Sequence, residues 1–313
     1  MFEGRRTFFP SLTAAVAWGV MFPIAASAIT RIDPYTLTSI RYGVAALIFL
    51  ALLKALEGNV KTDRNRELFI LGSIGFAGFN LLSYAGLEHT HPQNAALIVA
   101  LQPLITAVGL WITTRAIPTK HTFAAMGFAL LGVFLVITKG HPSAIASGDG
   151  TTGELMVLLG CVCWIVYTLG ARRFPTYSPL RYTAISAGYG TLSIFAVTLI
   201  VALTGGTHVD VGGDLWWQTL YIIFMGAVVA VLAWNEGVRK IGPANGALFL
   251  NLVPVISFAI AITVQGYDPN GWELLGAAIT IGALVYANLK ARARAPRAHP
   301  HPDGAPARAA QSA

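Results

Sequence analysis

Long apolar runs alternate with short polar breaks along most of the chain. The runs fall at about residues 8–29, 34–56, 67–87, 92–114, 120–139, 153–171, 179–203, 215–239, 243–265 and 270–290. At 1.5 Å per residue, a helix of roughly 20 apolar residues matches the ~30 Å hydrocarbon core of a bilayer. The pattern therefore predicts an all-α integral membrane protein of ten spans, their ends set to within a few residues. The links are too short to hide a soluble domain. Residues 291–313, rich in Ala, Pro and charge, are expected to form a disordered tail. The first run carries one ambiguity. Arg5 and Arg6, an apolar stretch and Ala26-Ser27-Ala28 together mimic a cleavable signal peptide. The run exceeds 20 residues, longer than a usual signal core, and the internal repeat requires it to be retained.

That repeat appears when residues 91–105 (HPQNAALIVALQPLI) are set against residues 242–256 (GPANGALFLNLVPVI) at a constant offset of 151. Pro92 meets Pro243, Asn94 meets Asn245, Ala96 meets Ala247 and Leu97 meets Leu248. Leu101 then meets Leu252, Pro103 meets Pro254 and Ile105 meets Ile256. Nearby register agrees, with Trp18 against Trp164 and Gly86 against Gly237. The chain thus divides into residues 7–140 and 153–290, five spans each. An odd number inverts the second copy relative to the first, and inverted repeats are a recurring plan of secondary transporters.

Composition supports the membrane assignment. Hydrophobic residues make up 55% of the chain and charged residues 11%, where a soluble domain usually carries about 25% charged. The net charge of +7 would raise the question of nucleic acid in a soluble protein, but here the basic residues mark topology. With the N-terminus inside, the cytoplasmic segments hold Arg5, Arg6, Lys54, Lys61, Arg64, Arg66, Arg115, Lys120, Arg172, Arg173, Arg181, Arg239, Lys240, Lys290, Arg292, Arg294, Arg297 and Arg308. Only Arg31 and Lys139 fall outside. The positive-inside rule then places both termini in the cytoplasm of a bacterial-type inner membrane, with Trp216, Trp217 and Trp272 at the outer interface. Cys161 and Cys163, two apart on one helix, do not face one another and imply neither a disulfide nor a metal site.

The five-plus-five layout, the mid-span Trp18, Ile40-Arg41-Tyr42 in the second span and the duplicated P-x-N-x-A-L…P pattern resemble the EamA family of the drug/metabolite transporter superfamily. The resemblance covers about residues 8–290. It implies a ten-helix inner-membrane carrier, often an exporter of amino acids or related metabolites, and leaves the substrate open.

Several residues are candidates for the chemistry of transport. Pro103 and Pro254 lie eleven residues after the prolines that open their spans, at the expected midplane. Each lacks an N–H and crowds the carbonyl four residues earlier, so a kink or gating element is expected. Gln102 and Asn251 sit beside these kinks. Trp18 and Trp164 lie near mid-membrane, away from the interface that Trp usually prefers, and Tyr167 shares a face with Trp164. Asn80 and Tyr84 are four apart on the third span, and Asn235 corresponds to Tyr84 in the second copy. These eight residues, Trp18, Asn80, Tyr84, Gln102, Trp164, Tyr167, Asn235 and Asn251, are candidate walls of a solute cavity. Interhelical packing and hydrogen bonding are the competing account of each. Arg41 is the deepest charge, meeting a solute carboxylate, pairing with Glu88 or snorkelling to the outer surface.

No Asp or Glu lies at mid-depth in any span, which leaves facilitated diffusion open beside proton coupling. No H-E-x-x-H, G-x-S-x-G or paired deep acid suggests an enzyme, and no cofactor or metal is called for. The expected activity is secondary transport of small amino acids or related metabolites, by an exporter or facilitator alternating about a central cavity. A drug or cationic-solute exporter would want an acidic cavity. A non-transporting receptor or scaffold would want a folded loop domain. The expected partners are a small solute and the lipid bilayer, with no nucleic acid; the oligomeric state is left open, a monomer being compatible with the pattern.

Overall fold

The computed structural model describes residues 2–115, 117, 119–141, 151–241 and 249–294. Among them, helices dominate and no strand forms. An isolated bridge between Ile32 and Val209 joins two links. The helices are α1 (Phe2–Ala28), α2 (Pro34–Glu57), α3 (Asn65–Gly72), α4 (Phe79–Leu87), α5 (Pro92–Val99), α6 (Gln102–Thr114) and α7 (Lys120–Thr138). They continue with α8 (Thr151–Gly170), α9 (Pro179–Leu203), α10 (Leu215–Tyr221), α11 (Ala230–Ile241), α12 (Leu252–Thr263) and α13 (Gly271–Arg294).

Local sequence sets the helix ends. Asp33 caps α2 by accepting the Thr36 N–H at 2.8 Å, with Pro34 at the first helical position, where its missing donor costs nothing. Ser178 and Pro179 repeat the device at α9, Ser178 accepting from the Arg181 N–H at 2.9 Å. Gly58 ends α2 at φ +71°, a left-handed conformation that glycine adopts without a side-chain clash.

Among the described residues, eight helical stretches are long and apolar enough to cross a bilayer: Phe8–Ala28, Pro34–Glu57, Asn65–Leu87, Pro92–Thr114, Lys120–Thr138, Thr152–Arg173, Pro179–Leu203 and Leu215–Trp234. Leu252–Thr263 and Gly271–Tyr286 are shorter apolar helices. Part of the predicted ninth span, with Pro243 and Asn245, lies outside the described residues. The helix α13 continues to Arg294, four residues beyond the predicted end of the last span, and the rest of the tail lies outside the described residues.

Irregularities interrupt these spans at matched places. Between α3 and α4 the chain forms a π-helical segment, Ser73–Gly78, and between α10 and α11 it forms another, Ile222–Val229. A turn at Ala100–Leu101 separates α5 from α6 just ahead of Pro103, and Asn251 breaks the chain three residues before Pro254. Lacking an N–H, each proline cannot bond the carbonyl one turn back. The main packing partners are also paired. Helix α4 packs on α8 as α11 packs on α1; α5 and α6 pack on α8 as α12 packs on α1. The first π segment lies on α9 and the second on α2, while α2 pairs with α9 and α7 with α13.

Small residues set how close these pairs come. A Cβ on Gly86 would stand 2.7 Å from the Gly153 carbonyl oxygen, and one on Gly153 would stand 2.6 Å from the Gly86 oxygen. Across α7 and α13, a Cβ on Gly276 would lie 2.5 Å from the Gly132 oxygen. Backbone-to-backbone contact of this kind is how helices associate where lipid offers no hydrophobic drive. The buried core forms two clusters, one around α1, α5, α7 and α13, the other around α2, α3 and α9.

Candidate functional site

The second span carries a full charge into the protein. Arg41 lies seven residues into α2, about 10 Å along its axis, and is 4% exposed. Its Nη1 donates to Asn80 Oδ1 at 3.1 Å and to the Tyr84 hydroxyl at 2.8 Å. Asn80 and Tyr84 share one face of α4 because they are four residues apart. The π segment immediately before α4 contributes a second anchor, since Asn80 Nδ2 donates to the Phe76 carbonyl at 2.8 Å. Among the described residues, Arg41 Nη2 reaches only the Met21 thioether, at 3.4 Å, and Nε has no partner. The guanidinium also lies 5.0 Å from the Tyr42 ring centroid and 5.3 Å from that of Tyr84, within cation–π range.

These groups line a cavity between α1, α2 and α4. Arg41, Asn80, Ser83 and Tyr84 border it, but its free surface is almost wholly apolar, with Met21 and Phe22 among the lining side chains. The Ser83 hydroxyl is buried and has no partner among the described residues. The cavity measures about 10 Å³, room for one water-sized body.

The pairing of Arg41 with Glu88 considered from the sequence is corrected here. Among the described residues no ion pair joins them. Glu88 is exposed just past α4, near His89, His208 and Asp33. The packing around the carboxyl nonetheless strips some of its water and pushes it above the usual range, with Asp33 adding to the rise and the two histidines opposing it. At the neighbouring link, burial and the nearby Lys139 lower His91, with Glu273 and Glu154 opposing.

The other predicted site residues are dispersed. Trp18 donates its Nε1–H to the Gly226 carbonyl, at 3.0 Å, in the second π segment, and its ring tilts against Trp234 at 5.8 Å. It stitches α1 to the span that runs from α10 to α11. Trp164 and Tyr167 belong instead to an aromatic cluster with Phe76 and Tyr182. Trp164 lies 5.8 Å from Phe76, and Tyr167 stacks on Tyr182 at 4.9 Å. Gln102 approaches the Cys161 thiol on α8. Asn251 is buried, and neither amide atom has a partner among the described residues. Asn235 lies in α11, but its side chain is outside the described residues. The structure thus brings together Arg41, Asn80 and Tyr84 and places the two tryptophans apart from them.

Two contributors escape a reading of the sequence alone. Ser83 and Met21 are unremarkable in an apolar run, and only their position across from Arg41 marks them. The buried Glu154, in the first turn of α8, is a third residue without a sequence signal. It accepts from Thr90 Oγ1 and from Asn94 Nδ2, while its second oxygen has no partner among the described residues. Its place near a span end, rather than at mid-depth, is the reason.

Comparison with known proteins locates the chain. The EamA-like transporter family matches it twice, over residues 8–138 and 151–289. The uncharacterized transporter YrdR of Bacillus subtilis (strain 168) is 30% identical over 291 residues, covering 90% of both chains. A probable terminal-alkyne amino-acid exporter of Streptantibioticus cattleyicolor is 23% identical over 89% of this chain and 92% of its own. A solved crystal structure with 20% identity matches 92% of this chain and 98% of its own at a TM-score of 0.65, a likeness of fold alone.

Proposed function

Because this chain belongs to the EamA-like transporter family, we propose that it is a secondary carrier of small amino acids or related metabolites, working by alternating access. Its activity is transport and not catalysis, as for its relatives. In this reading the chain spans the membrane ten times, as two five-helix halves of opposite orientation with both termini in the cytoplasm. The helices enclose a solute path that each half can open to one side.

The observation that carries the reading is the matched packing of the halves. Helix α4 lies on α8 as α11 lies on α1, and each half places a π segment in its third span. Halves related in this way can exchange roles and expose one site to either side, which is the plan of alternating access. The amino-acid cargo draws on the amino-acid exporter among the relatives. A cationic drug is disfavoured because the cavity is lined by Arg41, whose charge would repel it.

The test is flux. Purified protein reconstituted in liposomes is expected to give saturable counterflow of at least one labelled small amino acid, with and without a proton gradient. A panel of neutral, acidic and basic amino acids showing no protein-dependent counterflow would refute the cargo assignment.

A further inference from the structure

We propose that Arg41, Asn80, Ser83 and Tyr84 form the binding site for the carboxylate of a small monoanionic or zwitterionic solute; the inference rests on the carrier reading above and names the chemistry that its cargo must present. A buried guanidinium without a counter-ion is costly in a membrane, by several kcal/mol even after relaxation. Among the described residues no carboxylate lies within 4 Å of Arg41. The contacts to the Tyr42 and Tyr84 rings offset only part of that cost.

The direction of the open valence is specific. Asn80 and Tyr84 occupy Nη1 and so fix the guanidinium plane. What remains is the Nε–Nη2 edge, with Nε unpartnered and Nη2 against a thioether, a weak acceptor. Two parallel N–H donors on one edge are the fork that a carboxylate accepts bidentately. Ser83, buried and unpartnered in the same cavity, offers a third donor. One cation matches one negative charge, which favours a carboxylate over a phosphate dianion.

Met21 occupies the place of the acceptor. Its sulfur touches Nη2, and the same sulfur lies 2.5 Å from where a Cβ on Gly226 would stand. The flexible side chain therefore lies between the anion site and the second π segment, against both. At about 10 Å³ the cavity beside it has room for no more than a water-sized body. A solute carboxylate enters when Met21 withdraws, so binding and the α1 contact with the opposite half are coupled.

The experiment measures binding in the purified full-length protein in detergent. Thermal unfolding is followed with alanine, leucine and phenylalanine, with their amides, and with acetate and chloride at matched ionic strength. The acids are expected to raise the midpoint and the amides and chloride to leave it unchanged. Arg41→Gln should abolish the rise, and Arg41→Lys should weaken apparent affinity about tenfold, the scale of a hydrogen bond to a charged group. Ser83→Ala, a small change that leaves the fold intact, should weaken it several-fold. No acid response in the wild type, a rise that persists in Arg41→Gln, unchanged affinity in Ser83→Ala, or an equal response to chloride would each overturn the site. Acid binding without flux in liposomes would sink the carrier reading and leave this site standing. Flux that keeps its preference for acid over amide in Arg41→Gln would do the reverse.

Discussion

Trp18 sits in the middle of an apolar run, where its indole N–H has no water and its own helix has no spare acceptor. A neighbouring backbone must supply one, and the second π segment does so through the Gly226 carbonyl. Position in the sequence could show that Trp18 was unusual, but not whether its N–H met a solute or a helix. Arg41 poses the same question with a charge, and its answer differs because Asn80 and Tyr84 fill only part of its donor set. At this scale we expect Trp18→Phe to keep most of the packing and lose the hydrogen bond, lowering unfolding free energy by about 1 kcal/mol. Denaturant unfolding in detergent measures it, and wild-type stability would mean the bond contributes nothing. Alanine is the wrong probe here, since deleting a packed indole costs about 3–5 kcal/mol and would confuse folding with flux.

Glycines at helix crossings act one scale up. Gly86 and Gly153 let α4 and α8 meet backbone to backbone, whereas a Cβ on Gly127 of α7 would find nothing within 4 Å. Gly86→Ala is therefore expected to push the two helices apart and cost about 1–3 kcal/mol, while Gly127→Ala is neutral or slightly stabilising. Comparing melting temperatures of the two variants decides it, and equal values would show that the crossing is looser than described. The helix breaks near Pro103 and Asn251 follow from proline chemistry that can be read in the chain. The π segments do not. Gly72, Gly75 and Gly78 are visible as small residues suited to close packing, but one extra residue per turn is a response to neighbouring helices. The Tyr167 side chain, for example, would lie 2.4 Å from a Cβ on Gly75.

For the whole molecule, the decisive property is which way each half faces. The link at residues 58–64 in the first half corresponds to the link at 204–214 in the second. In an inverted repeat the two lie on opposite sides of the membrane. Cysteines introduced as Asn59→Cys and Val211→Cys, both exposed positions, should react with an impermeant maleimide from opposite sides. The first is expected to label only in inside-out vesicles and the second only in right-side-out vesicles. Labelling of both from one side would rule out the inversion.

The order of apolar runs, the offset of 151 and the placement of basic residues were all legible in the chain. Each rests on transfer of side chains between water and hydrocarbon, or on local backbone chemistry, and both are properties of short segments. Which polar groups meet was decided only by the tertiary structure. Arg41 finds Asn80 and Tyr84 rather than Glu88, Met21 occupies its open edge, and Trp18 is spent on a helix contact. In a span buried against several neighbours, hydropathy sets depth but says nothing of rotation about the helix axis. That rotation is set by packing partners far away in sequence, and it selects the residues that face the cavity.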